Sequence, residues 1–231
     1  MRLLTLTLAT IAFTFSFACQ SQKSSDKSKK GWIVLFDGTN LDQWKGYNKE
    51  NVPDGWEIIN KELVLTKGGD GDIITKNEYE NYELELEWKI SEGGNSGIIF
   101  NIKEDPKFNN TYETGPEMQI LDNEKHPDSN QGKNGNRKAG SLYDMIPSSV
   151  KANPAGEWNK VKIRIKDGKT QFWLNGQKTV EFEMWTDEWN ELIADSKFKD
   201  WPGFAKYKKG HIGLQDHGDK VFFRNIRIRE I

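Results

Sequence analysis

The segment YELELEWKI, Tyr82 to Ile90, alternates strictly between large apolar and charged side chains. Successive side chains of a β-strand point to opposite faces, so this segment predicts a strand with one apolar face and one solvated face. The segment VKIRIKDG, Val161 to Gly168, repeats the alternation with β-branched residues on the apolar face. Strands of this kind need a second layer to cover their apolar faces, which constrains the chain to two packed antiparallel sheets.

Further strands are predicted wherever a short run of alternating or β-branched residues is bounded by Gly, Asn or Asp. These runs cover 56–60, 62–66, 72–76, 97–102, 116–122, 159–168, 170–176, 178–184, 210–216 and 221–231. Two hairpin turns are indicated at Asp167-Gly168 and Asn175-Gly176, because both dipeptides accept positive φ. One short helix is predicted near 187–200, where apolar side chains follow near-helical spacing. The predicted fold class is all-β, a jelly-roll sandwich of two antiparallel sheets with this one helix.

The N-terminal sequence MRLLTLTLATIAFTFSFACQ has one Arg, an apolar run too short to span a membrane, and small residues before Cys19. This layout predicts a signal peptide over 1–18. The residues before Cys19 resemble a bacterial lipobox, although Ser16 replaces the usual Leu, so we expect lipidation of Cys19. The alternative is an ordinary cleaved signal followed by an incidental cysteine. Both interpretations predict an exported bacterial protein, in the periplasm or as an outer-membrane lipoprotein whose only membrane contact is the lipid.

The rest of the chain divides into a polar segment, 19–30, which predicts a flexible tether, and a predicted jelly-roll catalytic domain, 31–231. Cys19 is the only cysteine, so the domain has no internal disulfide and depends on its core for stability. The formal net charge is −2, from 33 basic and 35 acidic residues spread along the chain, which disfavours nucleic acid as a partner. The CxxC, HExxH, GxxxxGK, GxGxxG and GxSxG motifs are absent from the sequence, which disfavours the zinc, nucleotide and serine-hydrolase chemistries that use them.

The predicted strand PEMQILD carries two polar side chains on one face. Met118 and Ile120 share the parity expected of the core, which leaves Glu117 and Gln119 on the opposite face. Asp122 follows the end of the strand, and its direction is open. A solvated strand face is the simple explanation of this pattern, and a catalytic face is the alternative.

A similar layout occurs in HIGLQDHGD. Ile212 and Leu214 take the core parity, which places Gln215 and His217 on the other face. An exposed loop histidine would be unremarkable beside an aspartate. Histidine is nonetheless the side chain best suited to proton transfer near neutral pH, so His217 is a candidate catalytic residue.

Several motifs, in the same order along the chain, resemble those of the 3-keto-disaccharide hydrolase domain family. They are GWIVLFDGTNLDQWKGY, YELELEWKISEGGNSGIIF, GPEMQILDN, KAGSLYDMIP, GEWNKVKIRIKDGKTQFWLNG and GHIGLQDHGDKVFFRNIRIREI. The resemblance covers nearly all of 31–231. It implies a concanavalin-like jelly roll, in agreement with the strand pattern, and a periplasmic or surface-exposed enzyme that acts on glycosides oxidised to a ketone at C3.

The chemistry implied by this resemblance assigns roles to the polar residues. A C3 ketone acidifies the C2 proton, so a base can form an enolate and expel the C1 substituent by β-elimination, with or without later addition of water. We hypothesise that Glu117 and His217 lie near each other across the concave sheet, one as base and the other as acid or enolate-stabilising partner. The candidate sugar contacts are Gln119, Gln215, Asn95, Tyr143, Lys197 and Asp122. A divalent cation bridging the ketone and an adjacent hydroxyl would also stabilise the enolate, although no ligand spacing in the sequence requires a metal.

Two other functional classes compete with this interpretation. Jelly-roll glucanases carry a Glu-x-Asp-x-Glu pattern on one strand, and residues 117–122 lack the second carboxylate on the same face, which weakens that assignment. A non-catalytic carbohydrate-binding module would use the same fold, with Trp and amide side chains contacting the sugar.

Overall fold

The structure, a computed structural model, describes residues 31–231. The predicted signal peptide (1–18), the predicted tether (19–30) and the expected lipidation of Cys19 lie outside the described residues. Within 31–231 the chain forms thirteen β-strands, one α-helix and two short 3-10 helices. No helix in this range is long and apolar enough to cross a membrane.

The strands are β1 Ile33–Phe36, β2 Trp44–Gly46, β3 Trp56–Ile59, β4 Glu62–Leu65, β5 Ile73–Thr75, β6 Tyr82–Ile90, β7 Asn95–Ile102, β8 Glu117–Leu121, β9 Asn159–Lys166, β10 Lys169–Leu174, β11 Gln177–Glu183, β12 His211–Leu214 and β13 Val221–Glu230. The α-helix, α1, is Asp187–Ala194, and the 3-10 helices are Thr111–Glu113 and Pro127–Asn130.

Two antiparallel sheets form the predicted sandwich. The larger, eight-stranded sheet has the order β11-β10-β9-β6-β13-β4-β3, and β1 also pairs with β13. The smaller, five-stranded sheet has the order β2-β5-β12-β7-β8. Their facing sides enclose one large apolar core, to which both sheets contribute. The all-β, jelly-roll class predicted from the alternation is confirmed.

The strand β6 shows why the alternating pattern was informative. Its apolar side chains Tyr82, Leu84, Leu86 and Trp88 are all buried in the core. Its acidic side chains point to the outer face, where each meets an arginine of β13. These cross-strand ion pairs are Glu83 with Arg229, Glu85 with Arg227 at 2.5 Å, and Glu87 with Arg224 at 2.7 Å. Opposite-charge pairs across strands contribute ~0.2–1 kcal/mol each, so the solvated face also supports the register.

Both predicted hairpin turns are present. Asp167, Gly168, Asn175 and Gly176 all have positive φ, between 50° and 88°. They connect β9 to β10 and β10 to β11, as the Asp-Gly and Asn-Gly dipeptides predicted. The three consecutive antiparallel strands form one edge of the larger sheet.

The predicted helix near 187–200 is shorter in the structure. It begins after Thr186, whose hydroxyl accepts a hydrogen bond from the backbone N–H of Trp189 at 3.2 Å, and it ends at Ala194. The following residues leave helical geometry because their aromatic rings pack on one another: Phe198 stacks on Phe204 with ring centroids 4.0 Å apart. The segment after α1 brings Lys197 close to the smaller sheet.

Several short elements were absent from the sequence prediction. The strands β1 and β2 have only four and three residues and no clear alternation. The 3-10 helices lie in 103–115 and 123–140, segments with loop composition. Each of these elements is held by partners distant in sequence or by local turns, which strand and helix periodicity do not report.

Candidate active site

A cleft of about 830 Å³ lies over the face of the smaller sheet that points away from the core. Its walls come from the sheet and from the loops around residues 69–72, 109–112, 143, 197–201 and 215–218. Seven of the residues predicted from the sequence line it: Asn95, Glu117, Gln119, Tyr143, Lys197, Gln215 and His217. The structure therefore brings these distant segments together at one site.

The floor of the cleft is built from three neighbouring strands. Gly97 of β7 pairs with Gln119 of β8, and its carbonyl accepts a hydrogen bond from the Gln215 N–H, 3.0 Å away, just past β12. Because Gly97 has no side chain, the carboxyl group of Glu117 occupies the space above it. The polar side chains of Glu117, Gln119 and Gln215 therefore surround a glycine at the floor of the cleft.

Glu117 is the most perturbed acid in the cleft. It is only 7% exposed, and within 31–231 no donor hydrogen-bonds to its carboxylate. Burial raises the pKa of Glu117 to about 8, and the nearby positive charge of Lys197 partly offsets this increase. A carboxylate of this kind exchanges a proton near neutral pH, as general acid–base catalysis requires.

Lys197 reaches into the same cleft, although much of the residue is exposed and no ion pair within 4.0 Å joins it to Glu117 in the described chain. Burial lowers the pKa of Lys197, and the negative charge of Glu117 acts in the opposite direction. Its Nζ lies 4.2 Å from the centroid of the Tyr143 ring, which supports the ammonium by a cation–π contact. The Lys197 backbone N–H donates to Asp144 Oδ2 at 2.8 Å, so the backbone is anchored as well.

Behind Tyr143 lies an ion network that sequence reasoning missed. The Tyr143 hydroxyl donates to Asp128 Oδ2 at 2.8 Å. Arg137 binds Asp128 at 2.9 Å and Asp144 at 2.6 Å, and so connects the partner of the Tyr143 hydroxyl to the residue that accepts from the Lys197 backbone N–H. Residues 123–140 had the composition of a loop, and nothing in that composition shows which charges pair.

The amide side chains of the cleft keep hydrogen-bonding capacity for a ligand. Gln119 Oε1 accepts from the backbone N–H of Ile120 at 3.0 Å, which fixes the side chain, and no partner within 31–231 accepts from its amide N–H groups. Asn95 is 4% exposed, and its Oδ1 has no partner in the described part of the chain. Buried amides are normally satisfied, so these groups indicate a polar ligand.

Asp72 is a second, half-buried acid of the cleft and was not predicted. Burial raises its pKa to about 6, although its carboxylate accepts hydrogen bonds from the Thr111 hydroxyl and from the Asp216 N–H, the latter at 2.8 Å. These bonds occupy both oxygens and attach the 109–112 loop to the sheet. The sequence placed Asp72 at the start of a strand, and only the pairing of β5 with β12 brings it to the site.

Two of the predicted residues do not lie in the interior of the cleft. His217 is exposed at the mouth of the cleft, and no ion pair within 4.0 Å joins it to Glu117 in the described chain. Asp122 is not among the residues that line the cleft. Its carboxylate instead accepts backbone N–H bonds from Gly93 at 2.8 Å and Glu124 at 3.0 Å, because the strand ends there and the turn needs acceptors.

The family model of the 3-keto-alpha-glucoside-1,2-lyase-like domain matches residues 31–229, almost the whole described domain. The chain belongs to this family. The resemblance inferred from the six sequence motifs is thereby confirmed.

Two relatives that are more than 30% identical agree with this assignment, and a more distant structure shares only the fold. The 3-keto-disaccharide hydrolase of Bacteroides thetaiotaomicron is 40% identical, over 86% of this chain and 78% of the relative. A candidate glycosyl hydrolase from Parabacteroides distasonis ATCC 8503, with a known crystal structure, is 32% identical and superimposes with a TM-score of 0.77, over 87% of this chain and 94% of that chain. The carbohydrate-binding module CBM66 from Bacillus subtilis, 11% identical with a TM-score of 0.51 over 86% and 99% of the two chains, shares the fold alone.

Proposed function

We propose that this family member is an exported enzyme that cleaves glycosides oxidised to a ketone at C3, by β-elimination across C1 and C2. Family membership places the chain among carbohydrate-active, glycoside-cleaving enzymes. The observation that carries the finer proposal is the Glu117 carboxyl group, buried in a polar cleft with a pKa raised to about 8.

The reaction needs a base before it needs an acid. Glu117 in its ionised form takes the C2 proton, and the electron pair of the C2–H bond passes into the ketone to form an enolate. The enolate then restores the C3 carbonyl, forms the C1=C2 double bond and expels the aglycone oxygen from C1. The departing oxygen takes a proton from the protonated Glu117 or from water, and addition of water to the C1=C2 bond, with OH at C1 and H at C2, gives the free 3-keto sugar.

Glu117 suits this role because its setting makes it a stronger base than an exposed carboxylate. A C–H group beside a ketone is a weak acid, so a base with a raised pKa has more driving force to remove its proton. The pKa of about 8 still leaves part of the population ionised near neutral pH. Desolvation and the lack of hydrogen-bond donors keep the ionised carboxylate reactive.

Lys197 and the amide side chains complete the proposed site. The Lys197 ammonium, held over the Tyr143 ring, supplies a positive charge for negative charge that develops on the sugar. Gln119, Gln215 and Asn95 provide hydrogen-bonding groups for sugar hydroxyls along the floor. The floor of the cleft is therefore rich in polar groups, as a hydroxylated substrate requires, and aromatic residues such as Phe198 and Trp201 line its wall.

The test is to incubate the purified protein with a 3-keto glucoside and with its unoxidised parent, and to follow aglycone release. We expect release from the keto form alone. Glu117→Gln should lower kcat by about 10³-fold or more while the protein still binds the keto glucoside, since the variant keeps the shape of the side chain and loses the base. Wild-type turnover in Glu117→Gln would exclude Glu117 as the base.

The same experiment separates the enzyme from a carbohydrate-binding module on this fold. Binding of the keto glucoside and of its parent with equal affinity, and release from neither, would assign the protein to the binding class.

Export is a separate part of the proposal and rests on the N-terminal sequence. Mass spectrometry of the mature protein should show an N-terminal Cys19 carrying a diacylglyceryl group, and an unlipidated N-terminus would contradict the lipoprotein form.

A further inference from the structure

Three potential metal ligands meet at one edge of the smaller sheet. They are His126, His217 and Asp219, and one ligand atom from each lies within 4.8 Å of the other two. The strands β8 and β12 both pair antiparallel with β7, so they run in the same direction, and the loops that follow them leave the sheet at the same edge. His126 lies in the loop after β8, and His217 and Asp219 lie in the loop after β12.

Backbone N–H groups already engage two of these side chains. Asp219 Oδ2 accepts from the backbone N–H of Asn95 at 3.0 Å, which orients the carboxylate and leaves Oδ1 for an ion. His126 Nδ1 accepts a hydrogen bond from the Asp128 N–H at 3.1 Å. A neutral ring that accepts at Nδ1 carries its proton on Nε2, so ion binding by His126 has to displace this hydrogen bond.

The third ligand and its surroundings are open to the cleft. The ring of His217 lies edge-to-face against that of His126, with centroids 6.0 Å apart. Within 31–231 no hydrogen bond engages the ring nitrogens of His217. Asn95, which holds Asp219 through its backbone, lines the same cleft and has a buried Oδ1 without a partner in this range.

We propose that His126, His217 and Asp219 bind one divalent first-row transition-metal ion at the mouth of the cleft. Two imidazole nitrogens and one carboxylate favour ions such as Zn²⁺, Mn²⁺ or Co²⁺ over Ca²⁺ and Mg²⁺, which prefer oxygen ligands throughout. Metal–ligand bonds of ~2.0–2.2 Å bring donor atoms to within ~4.4 Å of one another. The observed separations, within 4.8 Å, exceed this distance only slightly.

This inference rests on the proposed function for its role. Three protein ligands leave coordination positions free, as in catalytic metal sites, and His217 and Asn95 both line the cleft. The ion would bind the ketone oxygen and a neighbouring hydroxyl of the sugar, and would stabilise the enolate that Glu117 forms. The contribution of His217 to catalysis would then pass through the ion.

The first test measures metal binding without any substrate. The full chain is purified without a histidine tag, stripped with chelator and titrated with Co²⁺, whose visible absorption reports imidazole ligation, with Zn²⁺ as competitor. His126→Ala, His217→Ala and Asp219→Asn are compared with His211→Gln. His211 is the only other histidine of the chain, and it is buried against the Thr75 carbonyl away from the cluster, so its replacement is the matched control. Circular dichroism confirms that each variant folds.

We expect the wild type and His211→Gln to bind one equivalent of ion. Each cluster variant should bind at least about 100-fold more weakly, because even the loss of an outer contact costs ~10–100-fold in affinity. Equal binding by all variants, or no binding by the wild type, would overturn the site.

The second test separates this site from the proposed function. Release of aglycone from a 3-keto glucoside should fall on chelation and return on addition of the ion. Full release by the stripped enzyme would remove the ion from the mechanism and leave the proposed function intact. One equivalent of Co²⁺ bound by the cluster, with neither the keto glucoside nor its parent cleaved, would support the metal site and reject the proposed function.

Discussion

The carboxyl group of Glu117 occupies the space in which a side chain at position 97 would lie. A Cβ atom built on Gly97 would be 2.1 Å from Glu117 Oε1 and 2.6 Å from its Cδ, far closer than side-chain carbons approach other atoms. The two residues lie on the neighbouring strands β7 and β8. The missing side chain of Gly97 therefore determines where the proposed base can lie.

Gly97→Ala should displace this carboxylate and lower kcat/KM by about 100-fold, because a misplacement of the reacting group by ~1 Å can cost that much. Aglycone release from a 3-keto glucoside measures the effect. Gly97 has a φ that any residue can adopt, so the backbone itself accepts alanine. Unchanged kcat/KM would show that the carboxylate reacts from another position.

A double-mutant cycle distinguishes the clash from a general effect on the sheet. Gly97→Ala should destabilise the wild type in urea unfolding, since buried atoms must shift. In a Glu117→Ala background the clash is gone, and the same substitution should cost much less. An equal cost in both backgrounds would place the strain elsewhere.

The pH dependence of kcat/KM should report the Glu117 base. Activity should rise with pH through about 8, the raised pKa of Glu117, because the ionised form takes the proton. Lys197 lowers this pKa by its charge, so Lys197→Met should move the midpoint to higher pH. A midpoint that stays in place in Lys197→Met would show that another group titrates, and activity that falls through about 8 would make Glu117 the acid.

The alternation of polar and apolar residues carried most of what could be predicted. In β8, Met118 and Ile120 are buried in the core, so Glu117 and Gln119 necessarily face the cleft. The same reasoning placed Gln215 correctly, because Ile212 and Leu214 fill the core. The face to which a side chain points depends only on its position along the strand, so it can be predicted from the sequence.

Other features depend on contacts between segments far apart in sequence. Asp72 reaches the cleft because β5 pairs with β12, and Asp128 supports Tyr143 through a 3-10 helix inside a loop. Asp122 follows the strand end, where the direction of a side chain depends on the turn. These placements follow from the packing of the whole fold, and no periodicity of a single segment encodes them.

The stability of the protein should also depend on Glu117. Its pKa is about 8 in the folded protein and near 4.5 ordinarily, so the folded state binds an extra proton between these values. The stability that this extra proton contributes is fully present below about pH 4.5 and is lost as the pH rises through about 8. Glu117→Gln has no carboxyl group to titrate. Its free energy of unfolding should therefore increase relative to that of the wild type as pH rises across that window.

Urea unfolding on both sides of this window measures the effect. The difference between variant and wild type should change by a few kcal/mol at most, at about 1.4 kcal/mol per pKa unit. Glu183→Gln is the control, because Glu183 lies exposed on the opposite sheet. A constant difference between Glu117→Gln and the wild type across the window would mean that the Glu117 pKa is not raised by folding.

The Tyr143 ring should matter for the position of Lys197, and its hydroxyl should matter less. The Lys197 Nζ lies 4.2 Å from the ring centroid, whereas the hydroxyl points to Asp128, which Arg137 also binds. Tyr143→Phe keeps the ring and should retain kcat/KM within a few-fold. Tyr143→Leu removes the cation–π contact, worth ~0.5–2 kcal/mol, and should release the ammonium from its place in the cleft.

A second readout separates positioning from a general loss of activity. If the ammonium of Lys197 moves away in Tyr143→Leu, the pKa of Glu117 rises, so the midpoint of the pH profile should shift upward as in Lys197→Met. Tyr143→Phe should leave this midpoint in place. Equal losses in the two Tyr143 variants, with no shift in either midpoint, would instead assign the hydroxyl a direct part in the reaction, because the hydroxyl is the only group that both substitutions remove.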